Sequence, residues 1–244
     1  MTENIKEALQ YAVDLAEKEE KIIVDDVGVE WYDSNKHNLR ELMPKKYPQK
    51  LHLSTLDSLV DYYKNDINEI TKQRTMIVVD NPREVYVFTE DDEEEKRTLL
   101  INIEADLPQL SFGQFMPSDE FNIMLQSKFL DNNNRENVID FASHLIVEAG
   151  QDIEDDGISQ ITTVKAGVAS RQKAKAPNPV TLAPYRTFLE VEQPASDFIL
   201  RLDKNANLAL FEADGGFWKL QAVRLVKEYL TKNLSDFEKI FVLA

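Results

Sequence analysis

Residues 75–104 read TMIVVDNPREVYVFTEDDEEEKRTLLINIE, and this stretch decides the fold. Thr75–Val79 is β-branched and apolar, Asp80-Asn81-Pro82-Arg83 is a turn signal, and Val85–Thr89 alternates apolar with polar residues. Leu99, Ile101 and Ile103 alternate against polar neighbours through Thr98–Glu104. Alternation with period two sends successive side chains to opposite faces, so the spacing predicts an antiparallel meander of three strands. Its second connection holds six adjacent acids: Glu90, Asp91, Asp92, Glu93, Glu94 and Glu95. Like charges this close are not buried without partners, which predicts an exposed hairpin tip and a candidate interaction surface.

Toward the N-terminus, Ile5, Leu9, Ala12, Val13 and Ala16 recur at helical spacing, giving an amphipathic helix that ends in the polar run Glu17–Lys21. Ile22–Val24 and Val27–Trp31 read as short strands, and Asp33–Gln49 reads as a connecting loop. Ser54 with Asp57 has the outline of a capping box ahead of a helix carrying Leu56, Leu59, Val60 and Tyr63. Toward the C-terminus, Pro117-Ser118-Asp119 opens a helix bearing Phe121, Met124, Leu125 and Phe129. Val138, Phe141, Ala142, Leu145 and Ile146 mark the next helix, with Gly150 placed as its C-terminal cap. Ser159–Val164, Tyr185–Glu192, Ser196–Asp203 and Asn207–Ala213 read as strands, the last two joined as a hairpin through Lys204-Asn205-Ala206. Ala176–Pro184 is a proline-rich loop. Gly215-Gly216 turns the chain into a helix with Trp218, Ala222, Leu225, Val226, Tyr229 and Leu230 inward, and Phe237–Leu243 closes as a strand.

Regular strand–helix alternation is missing, so the pattern predicts an α+β fold of antiparallel β-meanders with packed helices in mixed order. It divides into a helix–meander–helices region over 1–150 and a β-rich region with a helix over 151–244, expected to form one integrated unit. The 244 residues are 43% hydrophobic, enough for a real core. No apolar run reaches the length of a membrane span, and the first residues lack a secretion-signal pattern, so a cytoplasmic location is expected. With no cysteine there are no disulfides, zinc–thiolate sites or thiol nucleophiles.

Chemistry-bearing motifs are scarce. His37, His52 and His144 are far apart in sequence, and no glycine-rich phosphate loop or nucleophile elbow occurs. No catalytic residue and no cofactor are assigned. Asp152, Glu154, Asp155 and Asp156 bunch before Gly157 as weak metal candidates, but their spacing is not that of an EF-hand. Glu212 and Asp214 flank the glycine turn, where the aspartate is expected to help cap the following helix.

Charge placement is more informative. Lys and Arg number 28 against 44 Asp and Glu, a net of −16, which repels nucleic acid and anionic membrane. Yet no acid occurs between Gly157 and Leu189, a window that holds Lys165, Arg171, Lys173, Lys175 and Arg186. A basic strip on an acidic protein fits the acidic surface of a second copy better than nucleic acid. Arg186, between Tyr185 and Phe188, is the exception, expected half-buried against Glu190 or Glu192 and acting on stability instead.

Residues 178–182 (NPVTL), 184–188 (PYRTF), 190–194 (EVEQP), Phe198 with Arg201, and 211–216 (FEADGG) with Trp218-Lys219 run in close order. With 53–62 and Asp155-Asp156-Gly157 upstream, the chain from about Leu51 onward resembles the YfdQ-like proteins of bacterial phages and prophages. That resemblance implies phage origin and action in the host bacterial cytoplasm, and it brings no catalytic residue. The expectation is a non-enzymatic phage accessory protein that acts by protein–protein contact, as a homo-oligomer and on a host defence or nucleic-acid-handling protein. The rival expectations are a metal-using nucleic-acid-processing or nucleic-acid-binding accessory protein and a virion structural component.

Overall fold

A computed structural model describes residues 5–11, 23–26, 28, 30–33, 39–41, 48–91, 96–145, 154–155, 160–165 and 171–244. Contacts divide the chain into two units, Met1–Tyr47 and Pro48–Ala244. Residues on both sides of position 150 fall in the second.

In the first unit, helix α1 covers residues 5–11, with Ile5, Leu9 and Tyr11 exposed on it. Strands β1 (Ile23–Val24), β2 (Glu30–Asp33) and β3 (Leu39–Glu41) form an antiparallel sheet in that order. β3 lies inside the stretch expected to be loop; three residues with one apolar position carry no readable alternation. Gly28 takes φ +87° and donates its N–H to the Asp25 carbonyl, turning β1 into β2.

The second unit is built on five strands in the order β14-β5-β6-β7-β4. These are β4 (Leu51–Leu53), β5 (Thr75–Asn81), β6 (Glu84–Thr89), β7 (Leu99–Glu104) and β14 (Ile240–Leu243). The central three are the expected antiparallel meander. Both outer strands join in parallel, β4 on β7 and β14 on β5. Cross-strand register aligns Ile77, Val87 and Ile101 in one row and Val79, Val85 and Ile103 in the next, all buried. The alternation in β7 is not as clean as its sequence. Phe88 pairs with Leu99 and Val87 with Ile101, so Leu100 is the extra residue of a bulge and is buried.

Helices α2 (Leu56–Lys64) and α5 (Phe217–Asn233) pack beside each other, and α5 lies against β5 and β14. α5 therefore belongs to this sheet and reaches the C-terminal chain through β14, not through the preceding hairpin. The α2 cap is Thr55, one residue later than the sequence suggests: its hydroxyl accepts from the Ser58 N–H at 3.2 Å. At the buried junction of helix and sheet, the Tyr63 and Thr75 hydroxyls share a hydrogen bond of 2.7 Å.

Burial pushes the Tyr63 phenol up, against a smaller opposing effect of the Thr75 hydrogen bond. A pKa higher in the folded than in the unfolded chain gives stability that is complete below the unfolded value of about 10 and is lost as pH rises beyond it. The melting temperature is therefore expected to fall steeply above pH 10, and a Tyr63→Phe variant should show a shallower fall. An unchanged alkaline slope in the variant would remove Tyr63 from the account.

The rest of the second unit packs around a further core. Strands β11 (Val180–Leu182), β12 (Ser196–Leu202) and β13 (Leu208–Glu212) form an antiparallel sheet, with β12 burying Ser196, Phe198, Leu200 and Leu202, exposing Asp197 and Ile199 and half-burying Arg201. Helices α3 (Ser118–Lys128) and α4 (Asn133–Ser143) cover it with Phe121, Leu125, Val138 and Phe141. The Phe198 ring lies 5.1 Å from Phe112 and 6.3 Å from Phe129, centre to centre. A ribbon of β8 (Glu154–Asp155), β9 (Gln160–Lys165) and β10 (Arg171–Lys175) is antiparallel throughout. The Gln160 side chain ties it to β12 through both the N–H and carbonyl of Leu202.

Tyr185–Glu192, expected as a strand, is instead an irregular loop between these two cores. Gln193, itself buried, replaces a ladder: its carbonyl oxygen accepts from the Arg186 and Thr187 N–H groups, and its amide donates to the Thr187, Phe188 and Val191 carbonyls. The loop is fastened to the five-stranded sheet at two places. Thr187 donates its hydroxyl to the Pro82 carbonyl at 2.6 Å, and Glu190 accepts from the Leu56 and Asp57 N–H groups at the start of α2.

Candidate interaction surface

Strand β14, Ile-Phe-Val-Leu, has no charge, proline or bulge, the usual devices that protect a free sheet edge. It is an outermost strand of its sheet, and among the described residues no strand pairs with its outer side. The Lys239 carbonyl accepts from the Thr75 N–H at 3.1 Å, so by alternation the backbone of Phe241 and Leu243 faces β5. That of Ile240 and Val242 faces outward. The Ile240 N–H is turned aside to the Phe237 carbonyl at 3.4 Å, which leaves the Ile240 carbonyl and both polar groups of Val242 on the outer side.

Two grooves flank this strand. Register pairs Ile240 with Thr75 and Val242 with Ile77, on the helix-covered face; Phe241 and Leu243 pair with Met76 and Val78, on the other. On the helix side a groove of about 350 Å³ runs between Ile240, Val242 and Phe237 and the α5 residues Lys227 and Thr231. On the opposite side a groove of about 310 Å³ has Met76, Phe241 and Leu243 for its apolar lining. Phe241 is 51% exposed and Leu243 is 47% exposed.

Charged pairs rim the second groove. Arg74 meets Glu90 at 3.0 Å, and its guanidinium lies 5.9 Å from the centre of the Phe241 ring. Arg97 is bonded to Asp91, which raises its pKa further above the ordinary arginine range. These side chains are about half exposed, so water screens the pairs and they add little to stability. They set geometry more than stability.

Of the acidic run, Glu90 and Asp91 stand at this rim; Asp92, Glu93, Glu94 and Glu95 lie outside the described residues. The acid-free window divides. The register of β9 with β10 pairs Lys165 with Arg171, Thr163 with Lys173 and Ile161 with Lys175, so positions 165, 171, 173 and 175 share one face of the ribbon. Arg186 is elsewhere. Its side chain is 1% exposed and no part of a surface; its partner is Glu212 at 2.9 Å, not Glu190 or Glu192. It also donates to the Ser196 hydroxyl and the Pro194 carbonyl, and stacks 3.9 Å over the Trp218 ring. Burial pushes its pKa down to about 10, partly offset by Glu212 and Asp214, so it stays a cation at neutral pH.

Glu154 and Asp155 sit in β8, while Asp152 and Asp156 lie outside the described residues. Among the described residues no group of three His, Asp or Glu is placed to hold a metal. His52 is on β4, His144 follows α4 with Nδ1 at 2.8 Å from the Asp140 carbonyl, and His37 lies outside the described residues. Asp214 accepts from the Gly216 and Trp218 N–H groups, as a cap at this turn should. Tyr229 on α5 donates to Asp57; burial first, then that carboxylate, pushes its phenol up. No described helix is long and apolar enough to cross a membrane.

No family model, curated protein or solved structure matches this chain.

Proposed function

We propose that the chain is a non-enzymatic accessory protein that works by binding another polypeptide, which adds a strand to β14. The observation that carries the reading is the unguarded edge between two grooves. A strand laid along β14 takes its main-chain bonds from Ile240 and Val242 and sends alternate side chains into the two grooves, one set to each face. The likeness to YfdQ-like proteins is the ground for placing the chain in the cytoplasm of a phage-infected bacterium, acting on a host defence or nucleic-acid-handling protein.

Val242→Pro removes the outward N–H and blocks an added strand, and proline is tolerated on an outer strand whose N–H faces solvent. Phe241→Lys supplies the missing guard. Both variants are expected to keep the wild-type circular dichroism and to melt within a few degrees of it, yet lose the polypeptide that wild type retains, be it a protein of a bacterial lysate or a tagged second copy of the chain. Equal retention by all three forms would reject strand addition at β14.

A second reading draws on the shared face of positions 165, 171, 173 and 175, which is the geometry for contact with a polyanion. It predicts a DNA or RNA mobility shift that weakens steeply with salt and disappears when these four residues are exchanged for Glu. The net charge of −16 opposes it.

A further inference from the structure

We infer that the strand added to β14 is β14 of a second copy, joined antiparallel about a two-fold axis at Val242. The inference rests on the strand-addition reading and names its partner. Each copy of Ile-Phe-Val-Leu offers what the other lacks: uncharged side chains that alternate between the two faces, and outward polar groups at matching spacing.

Register follows from two constraints. Phe241 and Leu243 must continue the face of Met76 and Val78, so only pairings that keep side-chain parity survive; a slip of one residue would turn them toward the helices. Of these, pairing Phe241 with its own copy would need the Ile240 N–H, which is already turned to the Phe237 carbonyl. Pairing Leu243 with its own copy leaves Phe241 and the Ile240 carbonyl uncovered, whereas pairing Val242 with its own copy uses outward-facing groups and covers both. The two Val242 residues exchange N–H and carbonyl bonds, and each Ile240 carbonyl receives the Ala244 N–H of the other copy. Phe241 then stands opposite Leu243 of the second copy, in the closer type of antiparallel pair, and the two exposed residues cover one another at both ends. Val242 and Ile240 of the second copy border the groove beside Lys227 and Thr231.

Electrostatics permit the approach despite the overall charge. Around β14 the acids Glu90 and Glu238 are matched by Arg74 and Lys239, and the Arg74–Glu90 pair is already closed. More distant acids are screened over about 8 Å at physiological ionic strength. The interface is small, so the association depends on concentration.

The absence of native cysteine makes the register directly readable. Phe241→Cys and Leu243→Cys are prepared as separate single variants. Residues directly opposite in this kind of pair have Cα atoms about 4.5 Å apart, within the range a disulfide spans. Under mild oxidation a mixture of the two variants is expected to form disulfide-linked pairs containing one of each, while each variant alone stays largely unlinked. Light scattering over a concentration series should show wild type rising from the 28.1 kDa of one chain toward twice that mass, and Val242→Pro remaining at one. Wild type that stays monomeric with no mixed disulfide overturns the second copy as partner. If that monomer still retains a lysate protein that Val242→Pro loses, strand addition stands and only the partner is wrong; if it retains none, both readings fall. A dimer that persists in Val242→Pro places the contact elsewhere and also overturns the inference.

Discussion

Glu212→Ala is expected to destabilise the second unit by about 3–5 kcal/mol, the usual cost of stranding one member of a buried ion pair. The two partners are unequal. Arg186 is buried with only protein around it, whereas the Glu212 side chain is 38% exposed and would be rehydrated if left alone. Removing the glutamate therefore leaves a guanidinium in a low-dielectric pocket, with Asp214, the Ser196 hydroxyl, the Pro194 carbonyl and the face of Trp218 but no bonded carboxylate. Removing the arginine strands less charge. Arg186→Met forfeits the Trp218 stack and leaves Ser196 and the Pro194 carbonyl without their donor, yet it fills a similar volume. The double variant Arg186→Met with Glu212→Ala is expected to be more stable than Glu212→Ala alone, because the uncompensated charge is gone. Thermal unfolding of the three variants measures this. For a unit of this size the single glutamate change should lower the melting temperature on the order of 10 °C. A double variant less stable than Glu212→Ala would show that packing, not charge, holds the site.

Gln193→Ala is expected to cost about 3–4 kcal/mol, a large effect for an uncharged side chain. It leaves two buried N–H donors, on Arg186 and Thr187, and the carbonyls of Thr187, Phe188 and Val191 without their shared partner. An unsatisfied buried polar group costs about 1–3 kcal/mol, and a truncated side chain leaves room for water to repair only part of the set. Gln193→Glu separates donor from acceptor. The carboxylate still accepts from the two N–H groups but faces three carbonyls with no proton to give, so its pKa is held above the unfolded value. Stability from such a group is present at low pH and lost as pH rises through the folded pKa. The gap between Gln193→Glu and wild type is therefore expected to narrow as pH is lowered from 7 toward 4.5. A gap independent of pH would mean that the loop has rearranged around the new side chain.

The meander, helices α2, α3 and α5 and the β12–β13 hairpin were legible in the sequence because each signals itself within its own span, whereas α4 stops at Ser143, short of the expected Gly150 cap. Thr75–Glu104 alternates, and Trp218, Ala222, Val226 and Leu230 recur at helical spacing on α5. What stayed hidden is what distant residues impose. Tyr185–Glu192 reads as a strand; its true form depends on Gln193 and on fastenings to Pro82 and Leu56, 105 and 134 residues away. The Arg186 partner, Glu212, was missed for the same reason, with nearer acids offering themselves in the sequence. Parallel attachment of β14 to β5 leaves no trace in either strand. At the candidate surface, the acid run marks one rim through Glu90 and Asp91, while Phe241 and Leu243 read only as a closing strand. The signal that could have found them is negative: four apolar residues with no guard, in a chain where 30% of residues are charged.

Because α5 and β14 follow far along the chain from β5 yet pack directly on it, the meander cannot be finished when it is made. The contact of the Lys239 ammonium with the Lys72 carbonyl spans 167 residues of sequence. At elongation rates of about 5–20 residues per second, β5 waits roughly ten seconds or longer on the ribosome for its cover. During that interval Thr75 can have Tyr63 of α2 beside it, but β5 lacks α5. Long-range pairing of this kind also slows folding, since the chain loses the entropy of closing a large loop before the contacts repay it. The same late strand that closes one side of the sheet thus sets the pace at which the sheet is completed.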